Sequence, residues 1–418
     1  MSPPTRAEVS LGSPLTLPCG VVLANRLAKA ALTEGLSDAH NRATERHCRL
    51  YRRWSHSGAA LLITGNVQVD RRYLERPGNV AIDGNGGLEA LQAYAAAGTE
   101  GGRCHLWMQI NHPGRQAPAF VSPVALAPSA VALDRPGFAQ PQAMSATDIQ
   151  DVIARFARVA TIARDVGFTG VQVHAAHGYL LSQFLNPLAN RRDDEWGGSL
   201  ENRARLLRSI VHAVRAAVGA DFPVSVKVNS SDFQQGGFTP EECLQVVGWL
   251  HADGVDLLEL SGGNYEQVSM LGLNPSQSTV RREAYFLEQA DSLRSAFPGP
   301  LMVTGGFRSR QAMQAALRSG AMDMVGLGRP LITAPTSAGA LLRGDIETLP
   351  SEERGFVVQY ADAAQRGGKP LSAFLQGWYA TQLLELGDGR EPDSGLDPHA
   401  AYARYVENEM RAAAVLVR

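Results

Sequence analysis

The chain has 418 residues, 44% hydrophobic and 19% charged, with a formal net charge of −2, an ordinary globular balance with length for a large core. Nothing in it resembles the basic footprint of a nucleic-acid binder, and no apolar run approaches the thickness of a bilayer. The opening Met-Ser-Pro-Pro-Thr-Arg-Ala-Glu lacks the apolar stretch of a secretion signal, so a cytoplasmic location is expected.

Short apolar runs alternate along the chain with longer helical patterns. Residues 11–24, around Leu-Thr-Leu-Pro-Cys-Gly-Val-Val-Leu, read as a hairpin plugging a barrel mouth. Strands are expected at 26–30, 59–64, 104–109, 170–174, 224–228, 255–260, 301–304 and 322–326. They are nearly continuous apolar runs, the pattern of strands covered on both faces. Helices of period 3.6 lie between them, among them 145–165, 199–218, 239–252 and 309–319. Ser199 serves as an N-cap, and Thr239-Pro240 with Glu241 and Glu242 makes a good helix opening. The fold class expected is α/β, a (β/α)8 TIM barrel with an N-terminal hairpin and a C-terminal helical extension. A doubly wound sheet is the alternative, and the lack of an obvious edge strand favours closure. Residues 1–342 are expected to form the barrel. Residues 343–418 form the extension, packed on the barrel or at a subunit interface, with helices near 353–365, 371–385 and 399–414. Residues 111–144 form a long loop rich in proline after the third strand, a length that is usually functional. Cys19, Cys48, Cys104 and Cys243 include no Cys-x-x-Cys pair and read as buried thiols rather than metal ligands.

Chemistry gathers after the fourth strand, in His174-Ala-Ala-His177-Gly-Tyr179. Two imidazoles and a phenol at the end of an apolar strand can polarise a carbonyl and supply a proton. Satisfied core histidines, or a His-x-x-His metal site, remain alternatives. After the seventh strand comes Thr304-Gly305-Gly306-Phe307, and after the eighth Gly326-Leu-Gly328-Arg329. These are the positions where a barrel commonly holds phosphate: glycine lets backbone N–H groups approach an anion, and Arg329 adds a charged fork. No dinucleotide fingerprint is present, so a mononucleotide across the barrel top is expected.

The stretch from His174 to Arg203 resembles the signature of the old yellow enzyme family, the FMN-dependent NADH:flavin oxidoreductases and ene-reductases, and the similarity runs from about residue 14 to 339. That resemblance implies FMN as cofactor and NADH or NADPH as electron donor. It implies that Thr33 contacts flavin O4, Gln109 the pyrimidine edge, Lys227 the N1–O2 region, and Gly305, Gly306, Gly328 and Arg329 the phosphate. Ala31, where a proline is usual, and Asn66, where a small residue is common, belong to the same cofactor site; Lys227 replaces a more frequent arginine and Trp196 a usual tyrosine. His174 and His177 then bind a substrate carbonyl, and Tyr179 protonates the α-carbon of an α,β-unsaturated carbonyl that takes hydride at its β-carbon. A lysine paired with a carboxylate, or a Schiff-base lysine, stays open for Lys227. Asn190, Arg191, Arg192, Asp193, Asp194 and Arg203 read as scaffold. Loops 111–144 and 262–279 (Tyr265, Met270, Leu271), with Trp378 and Tyr379, are candidates for substrate contacts. Partners expected are a small unsaturated carbonyl compound and a further copy of the chain, with no nucleic acid or membrane. A metal-dependent barrel lyase or hydrolase, and a flavin-carrying partner protein without turnover, are the competing readings.

Overall fold

The computed structural model describes residues 9–262, 287–353, 355–356 and 371–417. A small antiparallel hairpin, β1 (Leu15–Thr16) and β2 (Val22–Leu23), precedes the barrel. The barrel strands are β3 (Leu27–Lys29), β4 (Leu61–Gln68), β5 (His105–Asn111), β8 (Gly170–Ala175), β9 (Val224–Asn229), β10 (Leu257–Ser261), β11 (Leu301–Thr304) and β12 (Met324–Leu327). Each pairs in parallel with its chain-order neighbour, and β12 returns to β3, closing the cylinder. The expected barrel is therefore present. β4 runs on to Gln68 rather than stopping at 64, with a register shift between Ile63 and Asn66, the kind of irregularity that re-aims side chains beside a site.

The helices are α1 (Glu45–Ser55), α2 (Leu88–Thr99), α3 (Ala146–Asp165), α4 (Leu180–Leu185), α5 (Leu200–Val218), α6 (Pro240–Ala252), α7 (Leu287–Leu293), α8 (Arg310–Ser319), α9 (Pro330–Thr333) and α10 (Ser337–Arg343). Their starts follow local chemistry. Ser199 Oγ accepts from Asn202 N, and Ser145 with Asp148 and Thr239 with Glu242 close reciprocal capping boxes.

Barrel contents change from apolar to polar along the axis, and this positions the site. At the hairpin end, Leu15, Leu17 and Leu23 pack on Ala28, Leu61, Ile63, Trp107, Leu257, Met302 and Met324. Gly170 makes room for the Trp107 ring, since a Cβ there would lie 2.4 Å from its Nε1. The hairpin thus seals the mouth at the strand N-termini, as expected. Toward the strand C-termini the buried residues become Gln109, Gln172, His174, Lys227 and Glu259.

The 111–144 segment is more structured than a loop. It carries a 3-10 turn at Gly114–Gln116 and two strands, β6 (Val124–Ala127) and β7 (Gln140–Ala143), paired in parallel. Pro141 sits within β7, which a two-stranded sheet tolerates because every strand has a free edge. Arg192 holds this excursion down, donating to Pro128 O and Met144 O at 2.9 and 2.7 Å while pairing with Asp194. Asn190 donates to Phe184 O and Trp196 O, so this cluster is scaffold.

Two extension helices are described, α11 (Leu371–Gly387) and α12 (Pro398–Ala414). From Gly377 to Gly387 every residue of α11 is buried, the polar Thr381, Gln382 and Glu385 among them being hydrogen-bonded or ion-paired. It packs against α1, α9 and α12. Arg49 of α1 donates to Gly387 O at 3.0 Å and Arg46 pairs with Asp388 at 2.6 Å, cations placed at a helix C-terminus. Most of the helix expected at 353–365, and the substrate-loop candidates Tyr265, Met270 and Leu271, lie outside the described residues. Among the described residues no helix is long and apolar enough to cross a membrane.

Candidate active site

A continuous polar chain crosses the upper lumen. Gln109 Nε2 donates to Gln172 Oε1 at 2.8 Å. Gln172 Nε2 donates in turn to Ser225 Oγ at 3.0 Å and Glu259 Oε2 at 2.8 Å. Lys227 Nζ lies 2.9 Å from Glu259 Oε1. Strand register explains the grouping: His174, Lys227 and Glu259 are lateral neighbours on β8, β9 and β10, as are Asn66, Gln109, Gln172 and Ser225 one layer away. Lys227 therefore does have a carboxylate partner, and it stands in the same row as His174.

His174 and His177 meet edge-to-face with ring centroids 5.2 Å apart, and Tyr179 stands edge-on to His174 at 5.0 Å. Ala176 N–H donates to His174 Nδ1 at 3.3 Å, which assigns the ring proton to Nε2. His177 Nε2 is 2.8 Å from Ser261 Oγ. Burial first, and the nearby Lys227 charge second, hold both imidazoles well below their ordinary range, so both are neutral at pH 7. His177 has φ of 62°, a left-handed conformation that a β-carbon disfavours. Its backbone is held there by Asn229 Oδ1, accepting from His177 N at 3.0 Å, and by Gln116 Nε2, donating to His177 O at 3.0 Å. Asn229 is itself fixed by Asp232, at 2.9 Å.

On the opposite wall, Thr33 Oγ1 donates to Asn66 Oδ1 at 3.1 Å, and Asn79 Nδ2 reaches the same oxygen at 3.1 Å. Half-buried Ala31 packs against the apolar lumen cluster. The loop bearing Ala31 and Thr33 is anchored from beneath by groups that sequence reading passed over. Lys29 Nζ donates to Ile63 O at 2.7 Å and Tyr51 OH at 3.0 Å, and Tyr51 OH donates to Glu34, which also accepts from Gly65 N. Burial pushes the Lys29 amine down to about 7, against the pull of Glu34 and Glu259.

At the far end of the mouth, Gly305 and Gly306 have φ of 137° and 84°, backbone that glycine alone adopts readily. Gly326 is sterically required, since a Cβ there would lie 1.9 Å from Thr304 Oγ1; at Gly328 a Cβ would meet only Leu32 at 3.6 Å. Arg329 points toward the extension: Glu353 pairs with Arg308 and lies 3.8 Å from Arg329, Tyr379 OH donates to Glu353 at 2.6 Å, and the Tyr379 ring lies 5.8 Å from the Arg329 guanidinium. Tyr379 thus reaches the phosphate-end arginine, while Trp378 is buried and donates to Leu396 O. Thr304 Oγ1 and both polar side-chain atoms of Asn111 are buried without a hydrogen-bond partner among the described residues. Asn111 shares the lumen face of β5 with Gln109, two residues on. Buried polar atoms are rarely left so, and these are available to a polar ligand. Sequence reading also missed Glu259, a carboxylate inside an apolar run, and Asn111, which it took as the start of the long loop. No group of three or more His, Cys, Asp or Glu is placed to hold a metal among the described residues.

The model of the NADH:flavin oxidoreductase / NADH oxidase family matches residues 10–341. An NADH-dependent flavin oxidoreductase of Neonectria sp. (strain DH2) is 37% identical over 386 residues, covering 85% of this chain and 50% of the relative; the chain thus spans about half the length of that protein. A second NADH-dependent flavin oxidoreductase, from Hypocrea jecorina (strain QM6a), is 37% identical over 358 residues, 79% of this chain and 88% of the relative. Among solved structures, the old yellow enzyme homologue from Zymomonas mobilis superimposes with a TM-score of 0.70 at 25% identity, covering 82% of this chain and 95% of that one.

Proposed function

Because the chain belongs to the NADH:flavin oxidoreductase / NADH oxidase family, within the old yellow enzyme group, we propose that it is an FMN-dependent ene-reductase drawing electrons from NADH or NADPH. The observation that carries this reading is the unbroken run Gln109–Gln172–Glu259–Lys227 lying in register with His174 at the polar end of a closed barrel. A lumen plugged by hydrophobic side chains on one side and lined by donors on the other suits a flat, polar-edged heterocycle. The orphaned Thr304 and Asn111 atoms, and a Gly328 that protein packing alone does not require, also fit a ligand laid across the mouth.

FMN, when bound, supplies the redox chemistry between nicotinamide and acceptor. Gln109 and Lys227 would hold its pyrimidine edge, Thr33 with Asn66 the O4 side, and Gly305, Gly306, Gly328 and Arg329 the phosphate. Neutral His174, with its proton on Nε2, donates to the carbonyl oxygen of an α,β-unsaturated substrate, and His177 joins it. A neutral donor polarises that oxygen without giving up a proton to it. The bonds from Asn229 and Gln116 hold the His177 backbone in its left-handed conformation, with Nε2 against Ser261 Oγ. Tyr179 delivers a proton to the α-carbon. The metal-ligand reading for the histidine pair has no observation that favours it.

The test is spectroscopic. The purified, FMN-loaded protein should be yellow and should bleach with NAD(P)H in the absence of oxygen. Tyr179→Phe should slow acceptor reduction by about 10²-fold or more while flavin reduction stays within a few-fold. Equal loss in both half-reactions would remove the tyrosine from its role, and a colourless protein unable to take up FMN would overturn the function.

A further inference from the structure

The last helix, α12, lies beyond the residues the family model matches, which end at 341. Yet it plugs directly into the wall that carries Thr33. Glu409 of α12 accepts from Arg76 Nε at 3.2 Å and Nη2 at 2.6 Å, a bidentate pair with side chains 7% and 8% exposed. The Arg76 guanidinium stacks 5.4 Å from the Tyr405 ring of the same helix. Its remaining arm, Nη1, donates to the backbone carbonyl of Thr33 at 3.4 Å. The approach is tight: a Cβ on Gly35 would lie 2.6 Å from the guanidinium carbon, and one on Gly78 would lie 2.6 Å from the Gly35 backbone. Asn79 completes the junction. Its Oδ1 accepts from the backbone N–H of Arg76 at 2.8 Å, and its Nδ2 reaches Asn66 Oδ1, the oxygen that also takes the Thr33 hydroxyl.

Both ends of the Thr33 residue are therefore fixed through Arg76, its carbonyl directly and its hydroxyl by way of Asn79 and Asn66. Arginine alone has the planar fork to grip a carboxylate with two N–H groups and spare a third for a carbonyl. We propose that the C-terminal helix acts as a clasp on the flavin site, Glu409 and Arg76 being positioning residues that set Thr33 and Asn66 for the cofactor. The inference rests on the flavin reading above. It gives residues beyond the family's matched segment a part in cofactor binding, without contact to the cofactor.

Arg76→Lys separates this role from simple stability. A lysine keeps a cation beside Glu409 but loses the fork that bridges to Thr33. The FMN-free variant should melt close to the parent, while its FMN dissociation constant, read from quenching of flavin fluorescence, rises about tenfold and the visible flavin band shifts. Arg76→Met with Glu409→Met is the second variant: the buried pair gives way to apolar volume, often at little cost in stability, and the same loss of affinity is expected. Folded variants that bind FMN with the parental constant and band would overturn the proposal. A third measurement needs no variant. In the parent, FMN binding should slow amide exchange around Glu409 as well as at Thr33 to Gly35, since coupling is reciprocal; no change at α12 would overturn the clasp. A parent that takes up no FMN overturns the proposed function along with it, whereas a binding parent with indifferent variants overturns the clasp alone.

Discussion

Replacing Lys227 by Met tests whether the lumen lysine serves the flavin or only its carboxylate. Lys227 and Glu259 are 4% and 0% exposed and 2.9 Å apart. At an effective dielectric near 20 their attraction is about 6 kcal/mol, most of it offset by the cost of burying both charges. Removing one partner leaves the other buried and unpaired, which costs about 3–5 kcal/mol. For 418 residues the unfolding entropy near the melting point is about 0.9 kcal/mol per kelvin, so Lys227→Met and Glu259→Gln should each lower Tm by about 3–6 °C. The double change Lys227→Met with Glu259→Leu should recover most of that loss. Flavin potential separates the readings by sign. An uncompensated ammonium in Glu259→Gln favours the reduced, more negative cofactor, so its midpoint rises; in Lys227→Met and the double variant it falls. Thermal melts of FMN-free protein and anaerobic dye-coupled titrations of loaded protein read the two effects. Single variants that lose Tm while all three keep the parental potential would refute the electrostatic role and leave Lys227 a structural partner of Glu259.

Other outcomes follow from the same geometry. Burial pushes the Asp232 carboxyl up to about 6, so between about pH 4 and 6 the folded chain binds more protons than the unfolded one and stability falls as pH rises through that window; Asp232→Asn should flatten that limb in denaturant titrations and add on the order of 3 kcal/mol at pH 7. Gly326→Ala places a methyl 1.9 Å from Thr304 Oγ1 and should cost about 1–3 kcal/mol, relieved by adding Thr304→Ala; a parental midpoint in the single variant would contradict the packing. Although burial opposes it, Arg329 and Arg308 hold the Glu353 carboxyl down to about 2. Glu353→Gln should lower Tm of the FMN-free protein by about 2 °C and enlarge the Tm rise on adding FMN, because the phosphate then replaces the lost anion; an unchanged rise would separate Arg329 from the phosphate.

What could be read from the sequence was what is local. Eight apolar runs show themselves residue by residue, and His174, His177 and Tyr179 crowd one strand end within six positions. The polar lumen showed itself only in part, through Gln109 and Lys227, while Gln172, Ser225 and Glu259 went unread. In Leu257-Leu-Glu-Leu-Ser261 a single glutamate leaves the run apolar, and its partnership with Lys227 appears only once β9 and β10 are in register. Asn111, followed by His112 and Pro113, read as the first residue of the long loop, whereas the strand runs on to include it. Arg76 and Glu409 stand 333 positions apart, joined by packing of α11 and α12 on the barrel, which no spacing rule anticipates. The parallel pair β6–β7 was masked by prolines that argue against a strand everywhere except at an edge.

Among the described residues two ion pairs are buried on both sides, Arg76–Glu409 at 8% and 7% exposed and Lys227–Glu259 at 4% and 0%, and Arg308–Glu353 is nearly so at 8% and 14%. Pairs such as Arg52–Glu100 and Arg343–Asp345 are about half exposed and contribute little. Buried pairs seldom repay their desolvation, and apolar residues of equal volume would often hold the fold as well. Stability therefore does not account for where these three sit. Each stands against a different stretch of the proposed flavin site: the Thr33 carbonyl, the Gln109–His174 rows of the lumen, and Arg329. What an ion pair provides and a leucine does not is a directed, hydrogen-bonded geometry. At these three places a polar ligand edge would meet the protein, so a side chain a few tenths of an ångström out of position costs affinity before it costs folding. Replacing Arg76–Glu409 or Lys227–Glu259 by apolar residues should accordingly separate the two quantities, leaving the melting curve near that of the parent while loosening FMN.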